Sequence, residues 1–427
     1  EIVVVEPTNY EMLNLLIDNY LKAFISGDSR QAQNRLETAK AIATLMLRDT
    51  DEKVGIDTVE YYSNVSVNVA QQLLEARQQT QEVSKVVAID KFQDSIDKLE
   101  RAKQVFVQHN AIADIQDNVF LLAKFLTTVN RIDDAKKEVE TWLKVAEEKG
   151  YLFNKAKLLY QESLIASYQG TEQVAVKKSL ESLEICKEIA IEKFTLYPLL
   201  LVSQIYSDFD QNDLAFADAL QGIAKSLKFK HSAFSSQFFY RAGLVSFGLG
   251  MPALAETYLR EAIRIAEQEG FHGYLAVAKS VLAALLAERA SFAEAKQLIE
   301  EAKTQDAVKT LDLMARKQQL FRISEYEGKV YGLAKDFARA EKAYRTALKL
   351  AGEIGYSKIT GLHQCKQGLG EAIHKQGRKP EALKELLEAK SMYTKARLNL
   401  QVESKNRLLD VNFSDRDIDE AIRLVQR

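Results

Sequence analysis

A pattern of three helix positions recurs along this chain with a step of about 40 residues. The clearest copy is Ala255, Leu259 and Ala262, whose spacing of four and then three residues puts all three side chains on one face of an α-helix. We call these three positions the anchor set. Further copies are Ala32, Leu36, Ala39; Ser95, Leu99, Ala102; Ala135, Val139, Trp142; Val176, Leu180, Leu183; Ala217, Gln221, Ala224; Ala295, Ile299, Ala302; Ala340, Tyr344, Ala347; and Ala382, Leu386, Ala389.

The step between the copies limits the architecture. The last anchor positions are 39, 102, 142, 183, 224, 262, 302, 347 and 389, and the gaps between them are 63, 40, 41, 41, 38, 40, 45 and 42. A unit of that length has room for two helices of about 15 to 18 residues and two short turns. The sequence therefore predicts an array of helical hairpins, with the anchor set on the second helix of each.

Glycines recur at fixed places in this pattern. Nineteen residues before the last anchor lie Gly243, Gly328 and Gly370, where a glycine inside a helix indicates a close approach of the partner helix. Twelve residues before it, at the turn inside the hairpin, lie Gly27, Gly250 and Gly377. Eight residues after it, Gly150, Gly270 and Gly355 each precede an aromatic residue and predict the end of the second helix.

The composition agrees with long helices. Only four of the 427 residues are proline, and 47% are hydrophobic, so the chain can bury a core and is neither disordered nor collagen-like. Lys and Arg number 58 against 60 Asp and Glu, a net charge of −2, which gives no overall attraction to nucleic acid. No apolar run reaches the roughly 20 residues that a membrane span needs.

The pattern resembles the tetratricopeptide repeat family. The resemblance rests on Gly243, Gly250, Ala255, Leu259 and Ala262, on Gly328, Tyr331, Ala340, Tyr344 and Ala347, and on Leu369, Gly370, Gly377, Ala382, Leu386 and Ala389. It covers about residues 10 to 410. The repeat of that family is usually shorter than the step found here, so this chain looks like a long-helix variant. The resemblance implies an all-α, right-handed α-solenoid, here a superhelix of about nine hairpins with a C-terminal capping helix.

We expect one continuous array with irregular ends. Residues 1–9 are predicted to be an extended lead-in, and residues 10–110 to form irregular hairpins with an extra or unusually long helix in the 63-residue gap. Residues 111–390 are predicted to form the regular array, and 391–427 the capping helices, the last opened by Ser414 and Asp417. Pro198 lies inside a predicted first helix, so we expect a kink or a later helix start there.

The chemistry-bearing residues form no recognisable catalytic, cofactor or metal set. Cys186 and Cys365 are far apart in sequence, and His363 and His374 are eleven residues apart, which suits no common metal site on one helix. The segment from Asp208 to Asp213 lacks the glycine and the glutamate of a calcium loop. We therefore expect no enzyme activity and no cofactor.

The resemblance implies a binding groove lined by the first helix of each hairpin. Carried onto this sequence, its positions are Gln237, Tyr240, Leu244, Phe247, Ser280, Glu288, Arg322, Glu325, Lys329, Gln364, Gln367, Glu371 and His374. The Lys and Asn set with which chaperone-binding members hold a C-terminal carboxylate is not present at these places. The groove is predicted to be apolar and aromatic in the middle and of mixed charge toward the C-terminus, which suits a peptide segment.

Two functions follow as hypotheses. The first is a non-catalytic scaffold or adaptor that binds a protein or peptide in this groove, with no direct contact to nucleic acid. The second is a sensory segment of a larger signalling or transcription-regulator protein that binds a small ligand or signal peptide. The sequence does not determine the compartment: a cytoplasmic protein is expected first, and a processed secreted or periplasmic form is the alternative because the chain begins with Glu1 rather than Met. The oligomeric state is not determined by the sequence.

Overall fold

The computed structural model of the chain describes residues 8–84, 91–208, 211–230, 232–270, 272–304, 313–354, 361–403 and 416–426, and these ranges contain twenty α-helices and no strand. The helices are α1 Asn9–Ile25, α2 Ser29–Thr50, α3 Val54–Ser63, α4 Val67–Ser84, α5 Phe92–Gln108, α6 Ile112–Thr128, α7 Ile132–Lys149, α8 Leu152–Tyr168, α9 Glu172–Glu188, α10 Leu196–Asp208, α11 Asn212–Lys228, α12 Ser232–Gly248, α13 Pro252–Glu269, α14 His272–Glu288, α15 Phe292–Thr304, α16 Leu313–Leu333, α17 Phe337–Ile354, α18 Gly361–Lys375, α19 Lys379–Glu403 and α20 Arg416–Gln426.

Eighteen of these described helices form nine hairpins of two consecutive helices, which confirms the predicted all-α helical-repeat class. The hairpins are α1–α2, α4–α5, α6–α7, α8–α9, α10–α11, α12–α13, α14–α15, α16–α17 and α18–α19. The chain divides into two compact units, Glu1–Pro198 and Leu199–Arg427. Pro198 falls in the first turn of α10, which begins at Leu196, so the proline lies where a helix tolerates it.

Several hairpins are held by a pair of positions sixteen residues apart in the sequence, one on each helix. A β-carbon added to Gly243 would lie 2.7 Å from Leu259 Cγ, and one added to Gly370 would lie 2.7 Å from Leu386 Cγ. In the α8–α9 hairpin both positions are serine, and the Oγ atoms of Ser163 and Ser179 are 2.6 Å apart. The predicted close packing at the helix glycines is therefore confirmed, and its reason is complementary size.

Two of the predicted anchor sets are in the wrong register. Ala217, Gln221 and Ala224 are all exposed, and the buried residues at this place are Ala215, Ala219 and Gly222. In the preceding hairpin the set is Ala175, Ser179 and Ser182, one residue earlier than predicted. The error arose because both helices carry apolar residues on two faces. With these corrections, the last anchors from 142 to 302 follow at a constant step of 40 residues.

The turns have the predicted left-handed backbone. Gly250 has φ +71° and Gly377 has φ +85°, a conformation that glycine adopts without steric cost. The same turn of the α16–α17 hairpin holds Lys335 at φ 61°, so glycine is preferred at this place and not required. Gly355 lies outside the described residues.

In unit 1, the N-terminal helices contact the chain far along the sequence. Tyr151 Oη donates to Asp57 Oδ2 at 2.8 Å, and the backbone N–H of Phe153 donates to Glu52 Oε2 at 2.7 Å. The ring of Tyr10 lies 4.4 Å from that of Phe153 in an edge-to-face contact. These contacts join α1 and the α2–α3 connection to the start of α8, and α3, which belongs to no hairpin, packs on α1 and α2.

In unit 2, the array ends in a long helix and a short amphipathic one. Helix α19 continues through Glu403, so residues 391–403 extend the last hairpin. Helix α20 packs on it through Ile418, Ile422 and Val425, and Lys390 Nζ lies 2.5 Å from Asp419 Oδ1. The predicted lead-in and the capping residue Ser414 lie at residues 1–7 and 404–415, outside the described part, apart from Thr8 and Asn9 at the start of α1.

Candidate functional site

The predicted groove residues lie on the first helices of the last four hairpins. Neighbouring first helices in unit 2 pack on each other, α12 on α14, α14 on α16 and α16 on α18. Helices α12, α14 and α16 bring part of the predicted set together. We call the interacting residues on α10, α12, α14 and α16 the first-helix cluster: Gln204, Asp208, Tyr240, Arg241, Phe247, Tyr274, Glu288, Arg322, Glu325, Tyr326 and Lys329.

One end of the cluster is a three-helix contact around Lys329. Its Nζ lies 2.8 Å from Glu288 Oε1 on α14 and 4.5 Å from the centre of the Phe247 ring on α12. An ammonium over an aromatic face is attracted by the quadrupole of the ring. All three side chains were predicted from the sequence, and all three retain access to solvent.

The other end of the cluster is centred on Arg322. Its Nη1 donates to Glu325 Oε2 at 3.1 Å, one turn along α16, and the side chain remains 33% exposed. Burial lowers the pKa of Arg322, but the carboxylates of Glu325 and Asp208 outweigh it and hold the pKa above its usual value. Burial raises the pKa of Glu325, against the opposing effect of Arg322. The guanidinium has five N–H donors, so it can bind a further acceptor while it keeps Glu325.

Tyrosines and a second arginine complete this end. Tyr240 is buried, its ring centre is 5.9 Å from that of Tyr274, and burial raises the pKa of its hydroxyl. Arg241 was missed by the sequence analysis. Its Nη2 donates to Gln204 Oε1 at 2.7 Å, while its buried Nε has no partner in the described residues.

Ser280 is a correction to the predicted set. It is fully buried, and its Oγ donates to the backbone carbonyl of Ala276 at 2.8 Å, so it belongs to the helix core. On α18, Gln364 and Glu371 are exposed, whereas Gln367 and His374 are half-buried. Gln367 Nε2 donates to Glu371 Oε1 at 2.9 Å within the helix. Gln237 and Leu244 on α12 are half-buried beside Tyr240.

The same repeat positions in unit 1 hold charged residues that the sequence analysis did not consider. Arg322 precedes Ala347, the last anchor of its hairpin, by the same number of residues as Arg77 precedes Ala102. Arg77 Nε is 2.6 Å from Asp18 Oδ1, and its Nη1 is hydrogen-bonded to Asp114. Applying this offset to every anchor, and not only to the last four, would have found Arg77.

The Arg77 network also includes an aromatic side chain and neighbouring polar groups. Tyr62 Oη donates to the other oxygen of Asp114 at 2.7 Å. Lys157 is hydrogen-bonded to Asp117, and its Nζ lies 4.7 Å from the centre of the Phe153 ring. These groups are mostly buried and satisfy one another, so this set is part of the interior of unit 1.

Other kinds of site are not found in the described residues. No group of three or more His, Cys, Asp or Glu side chains there could hold a metal ion. Within the same ranges, no helix has both the length and the apolar character that crossing a membrane requires.

Comparisons with known proteins show the fold. No protein-family model matches the sequence, and neither does any curated protein. Among solved structures, the apo form of the quorum sensor NprR from B. thuringiensis matches with a TM-score of 0.55 and 14% identity, over 89% of this chain and 98% of that one. Aspartyl phosphate phosphatase F from Bacillus subtilis matches with a TM-score of 0.51 and 13% identity, over 92% and 96% of the two chains.

A third structure is that of the Rap conjugation gene regulator of the plasmid pLS20 in complex with the Phr* peptide. It matches with a TM-score of 0.50 and 15% identity, over 95% of this chain and 99% of that one. At such identities the likeness concerns architecture alone. The chain therefore shares the tetratricopeptide-like helical-repeat fold of these proteins.

Proposed function

We propose that the chain is a non-catalytic regulator that binds a peptide on the first-helix cluster of unit 2. The observation that carries this proposal is the arrangement on α12, α14 and α16, where cations, carboxylates and aromatic rings from three neighbouring helices meet and stay partly open to solvent. Such a mixed surface binds a peptide backbone and its side chains together. The structural neighbour from plasmid pLS20, which holds a peptide, supports this choice.

The size of the cluster fits a short peptide. Neighbouring packed helices are about 10 Å apart, so two steps from α12 to α16 span about 20 Å. An extended peptide rises about 3.3 Å per residue, so about six residues would cover this distance. The partly exposed guanidinium of Arg322 offers donors to carbonyl or carboxylate oxygens of such a ligand.

The sensor hypothesis is favoured over a passive scaffold. The neighbours include a protein named as a quorum sensor and one named as a conjugation gene regulator. A neighbour named as a phosphatase also shares the fold, yet the groups that meet in the first-helix cluster are ion pairs and tyrosines, which is a set suited to binding. We therefore infer that binding of a peptide at this cluster, rather than a chemical reaction there, regulates the interaction of the chain with a partner protein.

The test uses a pool of random seven-residue peptides selected against the wild-type chain, with the strongest binder measured by fluorescence polarisation. The double variant Arg322→Met and Lys329→Met is expected to weaken binding at least about tenfold, because it removes two ligand-facing cations. Arg345→Met is the matched control, since Arg345 is an ion-paired arginine on the second helix α17. Failure to select any binder, or an equal loss in the control, would contradict the proposal.

A further inference from the structure

Helix α11 carries a second apolar face that nothing in the described part of the chain covers. Its buried face is Ala215, Ala219, Gly222 and Ile223, which pack within unit 2. On the opposite side Leu220 and Leu227 are 39% and 53% exposed. Ala217 and Ala224 on the same side are also exposed. We call these four exposed residues the α11 stripe.

The stripe is not a consequence of the repeat. Because the anchors around α11 follow at a constant step, the residues that correspond to 217, 220, 224 and 227 can be found in other second helices. In α13 they are Thr257, Arg260, Arg264 and Glu267, and in α7 they are Lys137, Glu140, Lys144 and Glu147. In α17 the first three are Lys342, Arg345 and Lys349. Charged and polar groups are what this solvent-facing side of a second helix ordinarily carries, so α11 departs from its own repeat.

The spacing of the stripe fits a pair of helices. Ala217, Leu220, Ala224 and Leu227 follow at intervals of three, four and three residues, which is the seam of a two-helix coiled coil. If two copies of α11 lie antiparallel about a two-fold axis near residue 222, Ala217 faces Leu227 of the other copy, and Leu220 faces Ala224. Each large side chain then meets a small one, as close helix packing requires. An isologous contact of this kind closes into a dimer.

The charges at the ends of the helix select the same orientation. Asp213 lies in the first turn of α11, and Lys225 and Lys228 lie in the last turn. Antiparallel pairing brings the acidic first turn of one copy to the basic last turn of the other. Parallel pairing would place like charges together, which is unfavourable.

We propose that the α11 stripe is the contact between two copies of this chain, which associate as an antiparallel, two-fold symmetric dimer. The proposal is independent of the peptide site, because the stripe is on a second helix and shares no residue with the first-helix cluster. A seam of one helix per chain buries less than the roughly 800 Å² per partner of a standard interface, so the dimer exchanges with monomer in the micromolar range.

The first test is sedimentation velocity of the full chain from about 5 to about 500 µM, the range in which a small interface is half-occupied. The mass is expected to rise from 48.2 kDa toward twice that value. The variant Leu220→Lys with Leu227→Lys is expected to raise the dissociation constant at least about 100-fold, because it buries four like charges at the two-fold axis. Circular dichroism checks that the variant keeps its helices, which is expected because both leucines are exposed.

A matched control is available at the same repeat position. Leu387 on α19 corresponds to Leu220 and is 50% exposed. Leu387→Lys is expected to leave the dissociation constant unchanged. A chain that stays monomeric throughout the range, or a dimer that persists in the α11 variant, would overturn the proposal.

The second test concerns orientation. Chains carrying Ala217→Cys and chains carrying Leu227→Cys are oxidised separately and as a mixture, in a background where Cys186 and Cys365 are buried. A disulfide needs β-carbons about 4 Å apart. Antiparallel pairing predicts cross-linking in the mixture alone, whereas cross-linking of each variant with itself would refute the two-fold arrangement.

Discussion

Arg77 in unit 1 and Arg322 in unit 2 occupy the same position of the same repeat, yet their surroundings are opposite. Arg77 is 6% exposed and holds Asp18 and Asp114, whereas Arg322 is 33% exposed and holds the carboxylate of Glu325. Both arginines lie on the first helix of a hairpin. The difference shows that a first-helix face is either interior or open to solvent, depending on what covers it.

In unit 1 the covering is supplied by the N-terminal helices. Asp18 comes from α1 and Tyr62 from α3, and both reach the Arg77 network. The contacts of Glu52 and Asp57 with the start of α8 hold α3 and its flank in place. The extra helix α3 therefore not only lengthens the array but also covers the charged residues around Arg77, so that they form a buried network.

Replacing each arginine singly is the strongest test of this difference in surroundings. Arg77→Met leaves Asp18 and Asp114 buried without their cation and is expected to destabilise unit 1 by about 3–5 kcal/mol. Arg322→Met removes a cation that is 33% exposed, but it leaves the buried carboxylate of Glu325 without its partner, so a smaller loss of about 1–3 kcal/mol is expected. Urea unfolding followed by hydrogen exchange in peptides of each unit would measure both effects. Equal losses would show that the two sites do not differ in burial energetics.

A second comparison concerns how the two units pack their hairpins. Gly243→Ala puts a methyl group against Leu259 and is expected to destabilise unit 2 by about 1–2 kcal/mol, since overpacking exceeds the gain in helix propensity. Ser163→Ala in unit 1 removes the hydrogen bond to Ser179 without a clash, so a loss of about 1 kcal/mol is expected.

The control for this pair is a glycine with free space around it. Gly352→Ala, on α17, meets nothing within 4 Å of the added carbon and is expected to stabilise the chain by up to about 1 kcal/mol. Thermal unfolding of the three variants would rank them. A stabilising Gly243→Ala would contradict the size-complementarity argument.

The smallest expected difference is in the response to acid. In unit 2, Arg378, with Gln376 and Arg345, lowers the pKa of Glu341 from 4.5 to about 2. This group stabilises the fold above pH 4.5, and the contribution is lost as the pH falls toward 2. In unit 1, burial raises the pKa of Asp114, so its contribution has the opposite sign and is lost as the pH rises.

Unit 2 is therefore expected to lose stability first on acidification, by about 1–2 kcal/mol from Glu341. Hydrogen exchange in each unit between about pH 5 and about pH 2.5 would measure this. Glu341→Gln is expected to flatten the dependence in unit 2 and leave unit 1 unchanged. Simultaneous loss in both units, unaffected by the variant, would contradict the assignment.

Much of the architecture could be predicted from residues such as Gly243, Leu259 and Gly370, because size complementarity repeats at a fixed spacing in the sequence. The register of α11 could not be predicted, because Ala217 and Ala224 have the spacing of an anchor set but lie on the exposed face of the helix.

Of the predicted groove residues, Phe247, Glu288 and Lys329 lie together, whereas Ser280 belongs to the core. Arg241 was missed because it lies one residue beyond the position carried over from the family.

A series of about nine helical hairpins can be predicted from the sequence alone, because that information is local: a helix period, a glycine and a large partner at a fixed distance along the chain. Which first-helix face is open to solvent depends on the tertiary structure. The exposure of Arg77 depends on contacts such as that of Tyr151 with Asp57, 94 residues away, and no local pattern records them. The tertiary structure likewise distinguished the two apolar faces of α11, since within the described ranges only one of them has a neighbouring helix to cover it.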